Sequence, residues 1–480
     1  SEPVSAIRIV VDQGPASLDT NMWAAFGGQI TNLYAATLTL PGWGDDSGKP
    51  ELAESVTESE DGLSWTIKLR EGLRFSDGSP LTAEDVKASL ERLELMTWTV
   101  QFLTDTSSVE AVDDRTAVVH LTSPRPDLAE QLGQSYAAIF PKEGLAKGDS
   151  FWERPISAGR YQIDSMDLAN GRFELTANPN YHGGEQDVKA ITITTVPDGA
   201  TRLAQVKKGE ADYAYNVPAN LASQVTGDMR LDNGWTPGNQ LTCAFNFNDP
   251  VVGDVKVRKA MHLAVDRQGI VDQVFGGAEF ARPLAGFPWN VEGEAPNVPV
   301  EAPDPAAAKE LLKGTVCEDG CATKIAYGSD GLWQNSAFPP VLQQQLAEIG
   351  IDLELAPYAS AVGGEVIEVQ DFGLFCGHGT YFVDSANYIG QTLNGTNGSP
   401  VNDNSSKGFS KTSWAAKKAE FYERFKTASG QELDTLIAET DAYWDQERLL
   451  LPLAMLSTVN VTTLPESVIT NVFDLYYVIP

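Results

Sequence analysis

The chain of 480 residues contains no run of about 18 or more apolar residues, the length a helix needs to cross a bilayer. Its most apolar late stretch, 449–461, holds Pro452 and Asn460 and reads as one or two buried strands. Cations are scarce, 34 Lys and Arg against 66 Asp and Glu, for a net charge of −32. That field repels phosphate backbones, so nucleic acid is not an expected partner, and a solvated acidic surface accounts for the charge. The four histidines, His120, His182, His262 and His378, are scattered, and four cysteines do not supply a second ligand pair near any of them. No metal or other cofactor is therefore expected. G-x-S-x-G, H-E-x-x-H and G-x-x-x-x-G-K-[ST] are all missing, and no spacing of Ser, His and Asp singles out a triad. A glycosidase-type carboxylate pair needs a defined separation across a cleft, which sequence does not show. No catalytic residue is assigned, and a secreted hydrolase is the alternative of another class. There is no fixed-period repeat and no low-complexity tract.

The chain starts at Ser1 without Met or an apolar leader, as removal of a signal peptide would leave it, or trimming. In VCEDGCA, Cys317 and Cys321 flank the turn pair Asp319-Gly320 and form a candidate disulfide, which points to an oxidising compartment. Cys243 in LTCAFNF and Cys376 in FGLFCGH either pair or remain two buried thiols.

At this length two or more lobes are expected. The early part reads as strands: IRIVVD (7–12), SWTIKLR (64–70), AVVHLTS (117–123) and FELTANP (173–179). From about residue 190 the grammar becomes α/β. AITITTVPD (190–198), ATRLAQVKKG (200–209) and ADYAYNVP (211–218) make a βαβ unit. After 250, Asp254 and Asp304 stand as N-caps, and helices are expected to Gly276-Gly277, to Gly314 and over 338–349. Strands are expected at TKIAYGS, IDLELAPY and DFGLFCG, and two long amphipathic helices precede LPLAMLSTVNV. NQLTCAFNFND (239–249) and LPLAMLSTVNV are the candidate crossings between lobes.

The most motif-like stretch, LREGLRFSDGSPLTAEDV (69–86), reads as a corner. Asp77-Gly78 makes a turn, Thr82 sits at an N-cap, and Asp85 takes the capping-box position three residues on.

The longer stretch around it, SWTIKLREGLRFSDGSPLTAEDVKASLERL (64–93), forms an ordered series over most of the chain with ISAGRYQIDSMD, LTANPNYHGG, VPDGATRLAQVKKGEADYAYNVP, LTCAFNFNDPVVGDVKVRKAMHLAVDRQGIVDQVFGG, LQQQLAEIGIDLEL and GHGTYFVDSANY. The series resembles the family 5 extracellular solute-binding proteins, the peptide, nickel, opine and oligosaccharide receptors of bacterial ABC importers. The resemblance implies an α/β, two-lobed periplasmic-binding-protein fold, with a ligand cleft that closes by hinge motion. Lobe one would be 1–246 plus 453–480, with an extra β-rich subdomain near 36–160, and lobe two 247–452. It further implies an extracytoplasmic monomer, periplasmic or lipid-anchored, that docks transiently on a membrane permease. An oligopeptide-like solute is the expected cargo, with an oligosaccharide or opine as the alternative.

Candidate ligand contacts follow strand ends, where such folds bind. Trp23 follows the first strand, and Tyr215 and Asn216 end ADYAYNVP; the alternative places Trp23 and Tyr215 in packing and Asn216 in a turn. Trp289 lies in the loop RPLAGFPWNVEG, and Trp333 in the polar loop GSDGLWQNS. In peptide-binding relatives the segment matching GHGTYFVDSANY supplies an acid that holds the ligand α-amine. Here that slot falls on Tyr381, with Asp384 three residues later and His378 three before. Tyr cannot pair an ammonium by charge, so either Asp384 serves or the ligand has no free α-amine.

Overall fold

The structure is a computed structural model. It describes residues 4–15, 17–20, 28–40, 48–95, 106–286, 300–329, 337–359, 362, 365–366, 369–380, 413–428, 430–472 and 475–478. In chain order the first half has β1 (Ala6–Val11), α1 (Gly28–Tyr34), β2 (Ala53–Glu58), β3 (Ser64–Leu69), α2 (Ala83–Glu91), β4 (Thr106–Asp113) and β5 (Thr116–Leu121). Next come α3 (Leu128–Gln131), α4 (Lys142–Leu145), β6 (Tyr161–Asp167), β7 (Arg172–Ala177), β8 (Ala190–Thr195), α5 (Gly199–Lys207), β9 (Tyr213–Ala214) and β10 (Arg230–Leu231). The second half has β11 (Gly234–Phe245), α6 (Val255–Ala264), α7 (Arg267–Val274), β12 (Ala281–Pro283), α8 (Pro305–Leu312), β13 (Cys321–Gly328), α9 (Phe338–Ala347) and β14 (Ile351–Tyr358). It ends with β15 (Leu374–Thr380), α10 (Ser413–Phe425), α11 (Gln431–Glu447), β16 (Leu450–Thr458), β17 (Val461–Thr462), β18 (Ile469–Val472) and β19 (Leu475–Val478). Two units divide the chain, Ser1–Gly234 with Thr458–Pro480, and Trp235–Ser457. The divisions fall at the first residue of β11 and near the end of β16.

The first unit is built on a seven-stranded sheet in the order β10-β17-β9-β1-β8-β7-β6. β1 pairs in parallel with both β8 and β9, and α5 connects these two neighbours. Alternation in IRIVV sorts the two faces of β1. Ile7, Ile9 and Val11 join Phe173, Ile191, Ile193 and Tyr213 in one core. Val10 turns to the other face and meets Leu203 and Val206 of α5. A second sheet, β2-β3-β5-β4, is antiparallel throughout. Trp65, Ile67 and Leu69 of β3 pack there with Val86 and Leu90 of α2.

Between β3 and α2 the SDGSPLTAED segment makes a corner. Gly78 has φ +86°, and the Asp77 carboxylate accepts from the Ser79 N–H (2.9 Å) and hydroxyl (2.6 Å). At the helix start Asp85 accepts from the Thr82 N–H at 2.8 Å, and its other oxygen accepts from the Lys142 N–H at 2.8 Å. Asp reaches far enough to act in the place of the usual Glu, and it ties α2 to the residue that begins α4.

The second unit carries one six-stranded sheet, β12-β16-β11-β15-β13-β14. Asp254 and Asp304 cap α6 and α8, accepting from the N–H groups of Lys256 and Ala307, each at 2.8 Å. β16 is buried along its whole length. Its Leu451 and Leu453 enter the main core, while Leu450 joins Phe421, Phe425 and Trp444 of α10 and α11. Cys317 and Cys321 are disulfide-bonded. Cys243 and Cys376 are disulfide-bonded too, directly opposed across β11 and β15 with their Cα atoms 4.0 Å apart, which resolves the alternative that sequence left open. Among the described residues no helix is long and apolar enough to cross a membrane, and no group of three or more His, Cys, Asp or Glu could hold a metal ion.

Candidate functional site

In the first unit the parallel strands β1, β8 and β9 end together, at Val11, Thr195 and Ala214. The residues that follow form one hydrogen-bonded knot. Asn216 has φ +50°, a left-handed conformation that Asn tolerates better than most residues. Its N–H donates to the Asn460 side-chain oxygen (2.9 Å), and its side-chain NH₂ donates to Asp12 (2.6 Å). Arg202, 2% exposed, donates to the carbonyls of Val196 (2.6 Å), Pro197 (2.9 Å) and Tyr215 (2.9 Å), and to that of Asn216. Burial lowers the guanidinium pKa, and Asp12 and Asp198 oppose the shift. Tyr215 is 2% exposed and belongs to the core of this unit. The structure thus puts Tyr215 in packing and Asn216 in a held turn, with the Asn216 side chain committed to Asp12.

The second unit repeats the device. Arg258, 3% exposed, donates to the carbonyls of Val252 and Gly253 at 2.9 Å, and to those of Glu447 and Arg448 at 2.9–3.1 Å. Burial draws its pKa down to about 10. Arg448, like Asn216, has φ +50°. Next to this clamp His262 bonds the Leu450 carbonyl through Nε2 at 2.7 Å. A carbonyl only accepts, so Nε2 carries the proton and Nδ1 accepts from Arg267 (3.3 Å). Burial first, then Arg267 and Arg448, push the imidazole pKa well below its usual value.

β11 and β15 form the centre of the second unit's sheet. His378 lies on β15 opposite Leu241, within the segment that sequence marked for ligand contact. Its backbone is described and its side chain is not. Trp23, Trp289, Trp333, Tyr381 and Asp384 lie outside the described residues. One residue that sequence reasoning did not single out stands here. Gln240 of β11, opposite Gly379, is 0% exposed, and neither its amide oxygen nor its nitrogen has a hydrogen-bond partner among the described residues.

A separate cavity of about 80 Å³ lies in the first unit, lined by Thr31, Asn32, Glu51, Arg160 and Tyr181 among others. Glu51 accepts from the Tyr181 hydroxyl at 3.2 Å and lies 3.7 Å from His182 Nε2. Burial lowers the His182 pKa against the pull of Glu51. Space for a handful of waters is too little for an oligomeric solute. The cavity gathers none of the candidate ligand contacts.

A family model described as "Bacterial extracellular solute-binding proteins, family 5 Middle" matches residues 48–400. The glutathione-binding protein GsiB of Salmonella paratyphi A is 30% identical over 330 residues, 68% of this chain and 64% of that protein. GsiB of Escherichia coli O1:K1 is 29% identical over 332 residues, with the same coverage of 68% and 64%. The matched part therefore spans just under two thirds of the length of these relatives. Among solved structures, the periplasmic binding protein DppA from Helicobacter pylori in complex with peptide STSA has a TM-score of 0.80 at 20% identity, covering 99% of this chain and 98% of that one. CtaP, an ABC transporter substrate-binding protein from Listeria monocytogenes, has a TM-score of 0.80 at 21% identity with full coverage of both chains, 100%. AgaA from A. tumefaciens R10 in complex with agropinic acid has 0.77 at 21%, covering 95% and 93%. The fold is that of the two-lobed periplasmic binding proteins, with mixed α/β sheets.

Proposed function

Since this chain belongs to the family 5 bacterial extracellular solute-binding proteins, we propose that it is the extracytoplasmic receptor of an ABC importer. It captures an oligopeptide-like solute by hinge closure of its lobes and delivers it to a membrane permease. The observation that carries this reading is the family match over 48–400, which runs through both units of the chain. The glutathione-binding relatives support a peptide-like cargo. The two disulfides suit an oxidising, extracytoplasmic compartment, periplasmic or at the cell surface through a lipid anchor. Binding and release need no bond chemistry, and Arg202, Arg258 and His262 are engaged with backbone carbonyls. The receptor acts as a monomer that docks transiently.

An opine- or oligosaccharide-type solute is the second reading. It is favoured by Tyr381 in the slot where peptide-binding relatives place an acid. Native mass spectrometry of the purified protein, followed by thermal-shift screening against peptides, oligosaccharides and opines, tests both. A peptide that raises the melting temperature and is recovered unchanged is the expected result. Conversion of a bound solute to product would replace the receptor by a hydrolase.

A further inference from the structure

The cavity of about 80 Å³ in the first unit lies where separate segments of the chain meet. Thr31 and Asn32 of α1 line it, with Glu51 just ahead of β2 and Ser135 between α3 and α4. Arg160 and Tyr181 line it from the two ends of the β6-β7 hairpin. Backbone bonds fix the acid in this wall. The Glu51 N–H donates to the Leu38 carbonyl at 3.0 Å, and the Glu51 carbonyl accepts from Arg70 at 2.6 Å. Of its carboxylate oxygens, Oε1 takes the Tyr181 hydroxyl at 3.2 Å, and Oε2 has no partner among the described residues. His182 Nε2 stands 3.7 Å from the same Oε1, but burial lowers its pKa, so the ring is neutral near pH 7 and leaves the acid its charge. The Arg160 guanidinium carbon lies 5.8 Å from the centroid of the Tyr181 ring. One phenol therefore touches a carboxylate and a guanidinium, and both charges line the same small space. Thr31, 2% exposed, adds a hydroxyl without a partner among the described residues.

The two charges point to the occupant. A carboxylate holds an ammonium and a guanidinium forks a carboxylate, each through charge-assisted hydrogen bonds. Offered together, they complement a molecule that carries both charges at once. Volume sets its size: room for a handful of waters admits about five or six non-hydrogen atoms. Glycine and alanine are of that size, and a dipeptide exceeds it. We propose that this cavity binds one small free amino acid, with Glu51 taking its ammonium and Arg160 its carboxylate. The site is separate from that of the transported solute and does not depend on the receptor reading. Its occupant ties α1 and the segment ahead of β2 to the β6-β7 hairpin, and so stabilises the first unit.

The test uses the whole chain, dialysed free of small solutes, with titration calorimetry and thermal unfolding. Glycine and L-alanine are the probes; acetate and methylamine each carry one of the two charges, and L-tryptophan exceeds the volume. Saturable binding of glycine or L-alanine at one per chain is expected, with a rise in melting temperature. Acetate and methylamine should each bind at least about tenfold more weakly, and L-tryptophan not at all. Glu51→Gln should weaken amino-acid binding about 10- to 100-fold. Ser135 is exposed, so Ser135→Trp covers the cavity without entering the core and should abolish binding. A transported solute identified by screening should bind both variants as it binds the parent. No binding of glycine or L-alanine, the result expected if the cavity holds only water, overturns the proposal. So does acetate or methylamine binding as tightly as glycine. Amino-acid binding unchanged in Ser135→Trp places the occupant elsewhere and overturns it too, even where Glu51→Gln fails to fold. Each of these results leaves the receptor reading standing.

Discussion

Replacing Cys243 and Cys376 together by Ala should destabilise the second unit far more than the same change at Cys317 and Cys321. The first disulfide is separated by 133 residues along the chain and the second by 4. A cross-link removes loop-closure entropy from the unfolded chain in proportion to the logarithm of the loop it closes, which gives about 5 kcal/mol for the long loop and about 2 kcal/mol for the short one. For a unit of this size each kcal/mol moves the melting temperature by about 2–4 °C, so losses of about 10–20 °C and about 4–8 °C are expected. Cys243 and Cys376 are both 0% exposed, so mild reductant should leave their disulfide intact in the folded protein, whereas half-buried Cys321 leaves the short-loop disulfide the more accessible of the two. Calorimetry of the two double variants, beside urea titrations, checks the mechanism. If the long loop acts through the unfolded state, its removal also raises the urea m-value, because the unlinked chain exposes more surface. A short-loop variant that loses as much as the long-loop variant, or an unchanged m-value, would refute the entropic account.

The remaining predictions concern the corner, the clamps and pH. Asp85→Ala strips the carboxylate from two backbone N–H groups, those of Thr82 and Lys142, and should cost about 2–3 kcal/mol in urea unfolding while the solute profile stays that of the parent. Asp77→Ala removes a turn bond at an exposed site and should cost about 1 kcal/mol, again without changing solute choice. Arg258→Lys replaces a planar fork that reaches four carbonyls by a single ammonium, and a loss of about 2–4 kcal/mol is expected by calorimetry; a neutral outcome would show that the clamp contributes nothing. The folded-state pKa of His262 is depressed, so its contribution is fully present above the unfolded value near 6.5 and is lost as pH falls below it. Urea titrations at pH 6.5 and 5.5 should differ by about 1 kcal/mol from this residue, and His262→Gln should flatten that slope; equal slopes in parent and variant would assign the pH dependence elsewhere.

Periodicity made the elements legible because most of them are half-buried. SWTIKLR shows its alternation since only Trp65, Ile67 and Leu69 enter the core. Asp254 and Asp304 could be read as caps because capping is a local event, settled within three residues. What sequence left open was non-local. Whether Cys243 and Cys376 pair depends on the register between β11 and β15, set by strands far apart in the chain. ADYAYNVP reads as an eight-residue strand, yet only Tyr213 and Ala214 are in the ladder, because Asn216 turns to positive φ and the Arg202 fork takes the carbonyls of Tyr215 and Asn216. Gln240 escaped notice for the same reason as the disulfide. The G-x-G of FCGHGTY was visible, but the face it shares with Gln240 appears only once the register is known.

The two arginine clamps show how a shared device can hide from a search for repeats. DGATR (198–202) and DVKVR (254–258) share only the first and last residue, and no fixed period links them. Helix geometry explains why these two positions suffice. An Asp N-cap starts the helix, and four residues later the side chain lies one turn on, on the same side. Helical side chains point back towards the N-terminus, so an arginine there reaches the carbonyls just before its own cap. Arg202 takes those of Val196 and Pro197, and Arg258 those of Val252 and Gly253. The rest of each fork binds two carbonyls from a distant segment, and in both cases the second belongs to a residue at φ +50°, Asn216 or Arg448. A left-handed turn outside glycine costs on the order of 1–3 kcal/mol and persists where the surroundings over-determine it. Five fixed donors on one planar group do that without any need for sequence similarity in the loops they hold. The two loops so held differ in sequence, one turning at Asn216 and the other at Arg448, and share the backbone path that the fork fixes.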